Sequence, residues 1–255
     1  MKRFILLVSF VVSLVFAVVQ FSRADKRFTQ QQKPSDSLKE QGNLVLLLPD
    51  LVVLPPKELY IEPLLNGRKL RFSTTFINLG KGSLEIRGER DFENWRTQAF
   101  QKIYRENGTV EEKFIGTFVL HPSHGHWHIE DYVEFQLWNY DKNGKPIELL
   151  TTTNKMSFCI WDEEAYNLEV ENAPKTQQYT GCNSDIQGIS PGWSDTYRAT
   201  VEGQELNISS IPDGRYLIRT IVNEDKKIWE SNYDNNEARM WVEISGNTIL
   251  EHNTL

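Results

Sequence analysis

The chain has 255 residues, of which 39% are hydrophobic and 25% charged, and its formal net charge at pH 7 is −7. This length supports one large or two small domains with a buried core. The acidic balance argues against nucleic acid as a partner and favours cationic ones.

The amino terminus reads MKRFILLVSFVVSLVFAVVQFSRAD, with two basic residues, a long apolar run and then small residues. This order is typical of a secretory signal over residues 1–24 that is cleaved after Ala24. An uncleaved membrane anchor is the alternative, because the apolar run approaches the length that crosses a bilayer. Both place the remainder outside the cytoplasm. Removal of residues 1–24 takes away three basic residues and changes the formal charge from −7 to −10.

Residues 25–42 are polar and rich in Gln, Lys and Ser, which is typical of a disordered linker. From residue 43 onward, short β-branched and aromatic runs are separated by turn signals such as ENG, DKNGK, SPGW and PDGR. The sequence therefore predicts one all-β sandwich domain over 43–246, followed by a tail at 247–255. Irregular stretches are expected near 88–98 and 162–195.

The segment HPSHGHWHIED, residues 121–131, holds four of the five histidines, and His124, His126 and His128 alternate. Successive side chains of a strand point to opposite faces. The predicted apolar face carries Trp127, Ile129, Val133, Phe135 and Leu137, with Asp131 as its one polar residue. The opposite face carries the three alternating histidines with Glu130, Tyr132, Glu134 and Gln136. These histidines are therefore predicted to point away from the core.

Three imidazoles on one face predict a metal site, although a single histidine is usually a surface or core residue without a special role. Protonated imidazoles would repel one another, and neutral imidazole is the commonest side-chain metal ligand. Nitrogen ligands suit zinc, copper, iron or nickel, and the spacing does not choose among these metals. His121 has the other parity and precedes Pro122, so it is predicted to support the ligands or to enter the strand.

The two cysteines, Cys159 and Cys182, fit one disulfide in an oxidising compartment, with two free thiols as the alternative. Asn107 and Asn207 match the glycosylation sequon. The sequons carry meaning only if the host is eukaryotic.

Several motifs together resemble the lysyl oxidase family. HGHWH resembles its copper-binding segment, and NKMSFCIWD, YTGCNSDIQGISPGWSDTYRA, IPDGRYLIRTIVN and ESNYDNNEARMWVEI follow in the same order. LPDLVV and LRFSTTFINLG resemble the start of the same catalytic domain, so the resemblance covers roughly residues 48–244.

The resemblance implies a copper amine oxidase that makes its own cofactor, lysine tyrosylquinone, from Lys155 and Tyr197. Such an enzyme converts primary amines, either peptidyl lysine or small amines, to aldehydes with oxygen and releases hydrogen peroxide and ammonia. By motif, the copper ligands are His124, His126 and His128. Cofactor formation requires a deprotonated Lys155, which partial burial would favour. Asp195 in SDTY is the candidate base, with a turn aspartate as the alternative.

A structural calcium site is also implied by the resemblance. The matching positions are Asp50, Leu51 through its carbonyl, Glu230, Asn232, Asn235 and Asn236. Oxygen ligands suit this cation, but Asn232 stands where an aspartate is common, which lowers the ligand charge. A hydrogen-bonded asparagine turn is the alternative.

The chain departs from the animal members of this family, which carry several disulfides, whereas only Cys159 and Cys182 remain here. If these two pair, the bridge would tie the segment of Lys155 to the loop that leads to Tyr197.

Two other classes compete with the secreted oxidase. One is a secreted copper- or zinc-binding β-sandwich without turnover, and the other is a hydrolase that uses zinc-bound water. A binding module has no need for the Lys155 and Tyr197 pair. The expected partners of the oxidase are oxygen and a primary amine or lysine-containing protein, with a membrane only if the amino terminus is retained.

Overall fold

The computed structural model describes residues 45–91, 96–141 and 143–254. Within these ranges the regular elements are all β-strands, which confirms the all-β prediction. Among the same residues, no helix has the length and apolar character needed to cross a membrane. The predicted signal or anchor at 1–24 and the linker at 25–42 lie outside the described residues.

Seventeen strands follow one another along the described chain. They are β1 (Leu46–Leu47), β2 (Leu51–Val53), β3 (Lys57–Leu64), β4 (Gly67–Asn78), β5 (Leu84–Asp91), β6 (Arg96–Arg105), β7 (Val110–His121), β8 (His126–Tyr140), β9 (Pro146–Thr152), β10 (Met156–Phe158), β11 (Glu164–Ala165), β12 (Ile186–Ile189), β13 (Trp193–Tyr197), β14 (Glu205–Asn207), β15 (Gly214–Val222), β16 (Glu237–Ser245) and β17 (Thr248–Thr254).

These strands form two antiparallel sheets that pack against each other. The larger sheet has 11 strands in the order β12-β5-β6-β7-β8-β15-β16-β17, with β1 beside β6 and both β9 and β10 beside β8. The smaller sheet has 6 strands in the order β11-β13-β4-β14, with β2 and β3 beside β4. Phe72 of β4 meets Phe135 of β8 with ring centroids 4.9 Å apart, and Phe76 meets Tyr132 at 5.0 Å. The core therefore lies between β4 and β8. Because β13 pairs with β4, this packing also brings the start of β8 near β13.

Strand β8 follows the predicted alternation only in part, and one cause is a bulge. Glu130 and Asp131 are both exposed, and the backbone of Asp131 has a φ of 56°, in the left-handed region that strands avoid. Because alternation breaks there, Tyr132, predicted on the polar face, is buried in the core. The placement of Asp131 as a polar residue on the core face was also wrong. The apolar residues beyond the bulge are buried as predicted, namely Val133, Phe135 and Leu137.

Two irregular stretches were predicted. The first, residues 88–98, is mostly strand where the structure describes it, so this prediction was wrong. Strands β5 and β6 pair from Glu85 opposite Lys102 to Asp91 opposite Arg96. The hairpin carries polar residues at many positions, some exposed and others buried, such as Thr97 and Gln101, so a search for apolar runs does not detect it. Residues 162–195 hold only the short strands β11 and β12 and the start of β13, as predicted. Beyond residue 246, β17 adds an edge strand to the larger sheet.

Candidate active site

The clustered histidines lie at the closed end of the β7–β8 hairpin. Strand β7 ends at His121 and β8 begins at His126, and these two residues are directly opposite each other. Residues 122–125 form the turn, in which Gly125 has a φ of 70° and donates its backbone N–H to the His121 carbonyl. The alternation predicted that His124 lies on the strand, and this was wrong, because His124 lies in the turn. Glycine adopts this backbone conformation without strain.

Four imidazole rings gather at this turn. The ring centroid of His121 is 4.1 Å from that of His124 and 4.8 Å from that of His128. Each of these three residues offers a ring nitrogen within 4.8 Å of the others, which makes them a candidate metal-binding group. The ring of His126 lies 4.9 Å from that of His128, and its Nε2 atom is buried without a hydrogen-bond partner. A buried polar atom without a partner is costly, and a metal ion would satisfy it.

His128 is the most buried of the four rings, with 1% of its surface exposed. The prediction that it points away from the core was therefore wrong. Its Nδ1 atom lies 3.1 Å from the carbonyl oxygen of Ser157, which can only accept a hydrogen bond. Nδ1 must carry the proton, so Nε2 presents its lone pair to the cluster. Burial, with the nearby imidazoles, lowers the pKa of His128 to about 3, so the ring is neutral near pH 7.

The hydrogen bonds of Ser123 assign the tautomer of His121. The hydroxyl of Ser123 donates to the carboxylate of Glu202 over 2.5 Å and lies 3.0 Å from Nδ1 of His121. Because the hydroxyl proton is used for Glu202, Nδ1 of His121 is the donor and its Nε2 is free. Ser123, Ser157 and Glu202 were not identified from the sequence, since neither motif nor spacing relates them to the histidines.

Tyr197 lies beside this cluster at the end of β13. Its ring centroid is 6.2 Å from that of His128 and 4.0 Å from that of Phe158. The Cys159 backbone amide donates a hydrogen bond to its hydroxyl oxygen over 2.6 Å. Burial, and secondarily the charge of Asp195, raises the pKa of Tyr197, which keeps the phenol protonated.

Two cavities border Tyr197. One, of about 260 Å³, is also lined by Met156, Glu202 and the imidazoles of His121, His124 and His128. The other, of about 410 Å³, is also lined by His124, His126, Trp161 and Asp195. A small molecule in either cavity would contact both the tyrosine and a histidine of the cluster.

Asp195, the candidate base, lines the larger cavity beside Tyr197. It is 1% exposed, and neither of its carboxylate oxygens has a hydrogen-bond partner. Burial, and then the charge of Glu163, raises the pKa of Asp195 well above its usual range, although the nearby amides of Trp161 and Thr196 oppose the rise. The raised pKa means that burial makes this carboxyl group hold its proton more tightly than a solvated aspartate does.

The structure does not bring Lys155 to Tyr197. The Lys155 ammonium forms an ion pair with Asp225 and lies 3.5 Å from Glu224. The hydrogen bond to Asp225 raises the pKa of Lys155. The expectation that partial burial would favour a deprotonated lysine is therefore contradicted in this state, because neighbouring carboxylates outweigh desolvation.

The predicted disulfide is confirmed. Cys159 and Cys182 are bonded, with their Cα atoms 5.4 Å apart. The Cys159 amide holds the hydroxyl of Tyr197, and the Cys182 carbonyl accepts a hydrogen bond from the Trp127 amide over 2.9 Å. The bridge therefore connects the support of Tyr197 to the strand that carries His126 and His128.

We expect the double variant Cys159→Ser/Cys182→Ser to lower the free energy of unfolding by up to about 3 kcal/mol, because the bridge closes a loop in the unfolded chain. Urea unfolding followed by tryptophan fluorescence measures the difference. Wild-type protein unfolded with a reducing agent should give the same midpoint as the variant. Equal midpoints for the variant and the oxidised wild type would rule out this contribution.

The six positions expected for calcium are mostly brought together. Glu230 accepts hydrogen bonds from the Leu51 amide over 2.7 Å and from the Asn236 side chain over 2.7 Å. The side chain of Asn235 donates to Asp50 over 2.8 Å. Asn232 stands apart, since its side chain accepts the Asp234 amide in a local turn. Burial raises the pKa of Glu230 to about 7.

Comparison with known proteins adds independent information. A family model described as Lysyl oxidase matches residues 61–254. The chain is 28% identical over 189 residues to Lysyl oxidase homolog 4 of Homo sapiens, covering 73% of this chain and 20% of that protein. It is 30% identical over 139 residues to Lysyl oxidase homolog 2 of Gallus gallus (54% of this chain, 16% of that protein). It is 26% identical over 161 residues to Protein-lysine 6-oxidase of Gallus gallus (62% and 36%). The matches thus span well under half of each relative.

Proposed function

Because this chain belongs to the lysyl oxidase family, we propose that it is a secreted copper-dependent amine oxidase. The observation that supports this function best is the position of Tyr197, whose ring lies 6.2 Å from the His128 ring and beside four clustered imidazoles. A tyrosine that becomes part of a copper-formed cofactor must lie next to the metal ligands. The disulfide fits an oxidising compartment, which supports secretion.

We propose His124, His126 and His128 as copper ligands, with His121 as a further imidazole at the same place. The nitrogens suit copper, which binds most tightly among the divalent metals of this series. The hydrogen bond of His128 to Ser157 orients that ring, and the buried Nε2 of His126 lacks any other partner. The donor set therefore fits the metal.

Lys155 and Tyr197 would together form lysine tyrosylquinone. With copper, this group supplies the oxidation of a primary amine to an aldehyde, while oxygen is reduced to hydrogen peroxide and ammonia leaves. We propose Asp195 as the base that holds and moves the proton taken from the substrate carbon. Its burial excludes water from that carboxyl group, and a cation nearby would favour its ionised form.

The substrate is a primary amine, either small or the side chain of a lysine in a protein. The acidic chain, with a formal charge of −7, attracts cationic amines toward the site. Glu202 lines the smaller cavity and Glu163 the larger one, so each cavity has a carboxylate in its wall. Cavities of about 260 and 410 Å³ admit an alkylamine chain.

The test is amine-dependent release of hydrogen peroxide from the purified chain after copper loading in air. We expect peroxide with a primary alkylamine or a lysine-containing peptide, and none with the matching alcohol. Peroxide formation should stop when phenylhydrazine blocks the cofactor. A non-catalytic copper- or zinc-binding module would bind metal without producing peroxide, and a zinc hydrolase would need no oxygen. Metal binding without peroxide, or turnover that continues without oxygen, would overturn the proposed activity.

We also propose a structural calcium ion among Asp50, Leu51, Glu230, Asn235 and Asn236. Support comes from the side-chain oxygens of Asn235 and Asn236, which are buried without partners. Such oxygens suit a hard cation, and binding to the folded state raises its stability. We expect the thermal midpoint to rise with calcium and to fall again with a chelator. A thermal midpoint that does not change with calcium would favour the alternative, a hydrogen-bonded asparagine turn without a metal.

A further inference from the structure

Two acidic residues hold the ammonium of Lys155 on the side of the β15–β16 connection. We call Glu224 and Asp225 the acidic clamp. Asp225 forms an ion pair with Lys155, and Glu224 lies 3.5 Å from the same nitrogen. The side chain of Lys155 is 27% exposed and that of Asp225 is 44% exposed. The lysine is therefore fixed in a charged, partly hydrated setting.

The loop that carries the acidic clamp has a defined conformation. Asn223 and Lys226 flank it with φ values of 50° and 54°, which non-glycine residues adopt at a cost. The side chain of Asn223 donates to the Ile228 carbonyl over 2.9 Å and accepts the Ile228 amide over 3.0 Å. Contacts within the loop thus maintain the unfavourable backbone. A loop held this way presents the clamp in one position.

The same loop is anchored to the bulge of β8. Lys227 forms an ion pair with Asp131 at 2.7 Å, and its ammonium is 3.9 Å from Asp225. Asp131 is the bulged residue with a φ of 56°. Two positions with unfavourable φ values thus flank the acidic clamp in the chain, and the third, Asp131, is tied to the same loop through Lys227.

Tyr197 is held by a different set of groups. Its hydroxyl accepts the Cys159 amide, and its ring packs against Phe158. Among the described residues, Met156 and Ser157 line the smaller cavity beside Tyr197, whereas Lys155 lines neither of the two cavities that border it. The lysine must leave the acidic clamp before it can reach the tyrosine ring.

We propose that Asp225, assisted by Glu224, is a positioning residue that holds Lys155 away from Tyr197 and thereby slows the joining of the two side chains. This inference rests on the proposed function, in which these two residues form the cofactor. The ion pair also stabilises the ammonium, which has no lone pair with which to form a bond. Exposed ion pairs are weak, so the expected delay is about two- to fivefold and not a block.

The joining step has a defined balance. A bond from Lys155 Nζ replaces a ring hydrogen of the oxidised tyrosine. Two molecules of oxygen take up the electrons, one giving the second ring oxygen and water and the other leaving as hydrogen peroxide. The lysine contributes only the amine, so its release from the clamp can limit the rate.

The first arm of the test uses copper-free protein and does not depend on enzymatic activity. Limited acetylation followed by peptide mass spectrometry gives the rate at which each lysine reacts. We expect Lys155 to react about two- to fivefold faster in Asp225→Asn than in wild type. Glu171→Gln is the matched control, because Glu171 pairs with the exposed Lys81 at 2.8 Å in the same way. That control should raise the acetylation rate of Lys81 only. An unchanged acetylation rate of Lys155 in Asp225→Asn would refute the proposal that Asp225 holds Lys155.

The second arm follows the appearance of a peptide that joins Lys155 to Tyr197 after copper is added in air. We expect this peptide to form about two- to fivefold faster in Asp225→Asn, and faster again in Asp225→Asn/Glu224→Gln. Equal or slower formation than in wild type would overturn the inference while leaving the proposed function intact. If no variant forms the peptide, wild type included, the proposed function fails, and the inference about joining fails with it.

Discussion

Replacing Tyr197 by Phe lowers amine-dependent peroxide release by at least about a thousandfold, equivalent to about 4 kcal/mol of transition-state stabilisation. Without the hydroxyl the ring cannot become part of the cofactor that carries the redox chemistry. The substitution keeps the packing against Phe158 and loses the two hydrogen bonds of the hydroxyl, one accepted from the Cys159 amide and one donated to the Cys159 carbonyl. Initial rates of peroxide formation at saturating amine measure the effect.

Lys155→Arg is expected to cause the same loss for a separate reason. Arginine retains the positive charge and can keep the contacts to Asp225 and Glu224, but its guanidinium stays protonated. Both variants should keep the copper content and the unfolding midpoint close to those of wild type, which excludes misfolding. Substantial peroxide release by either variant would show that a different group performs the oxidation.

Replacing His128 by Ala lowers the affinity for copper(II) by at least about a hundredfold, since loss of a supporting residue alone can cost as much. His128 is the most buried imidazole of the cluster, and its neutral ring faces the other histidines. Competition with a chelator of known affinity measures the change. His252→Ala is the matched control, because His252 lies exposed on β17 outside the cluster.

The same assay on His121→Ala and His126→Ala identifies which of these two completes the ligand set. A larger loss of copper affinity in His126→Ala supports the ligands expected from the family motif. A larger loss in His121→Ala supports the set whose ring nitrogens lie within 4.8 Å of one another, His121, His124 and His128. Wild-type affinity in His128→Ala would contradict a copper site at this hairpin.

The sequence predicted the buried strands well because their apolar runs are long. Strands β4, β15 and β16 contain the runs LRFSTTFIN, RYLIRTIV and ARMWVEI, and they bury most of their side chains or, in β16, every second one. Strands β3, β9 and β17 were missed because most of their side chains are exposed, as the single buried residue of β3 illustrates. An exposed strand is held by its backbone pairing to a neighbour, which leaves little trace in side-chain type.

The sequence grouped the histidines of the candidate site in one segment but did not predict their geometry correctly. Alternation assumes a continuous strand, so it placed His124 on β8 and separated His121 from the other rings. Pro122 and Gly125 were the available signal, since a Pro-x-x-Gly segment is typical of a turn. The contact of Lys155 with Asp225 had no local signal, because it depends on how β15 and β16 are connected beside β8.

The most direct test of the account is the visible spectrum of wild-type protein after copper is added in air, followed by peptide mapping with phenylhydrazine. We predict a visible band that phenylhydrazine shifts, carried by one peptide in which Lys155 is joined to Tyr197. Copper binding with no band and no joined peptide would contradict the account, and the chain would then be a metal-binding member of its family without oxidase activity.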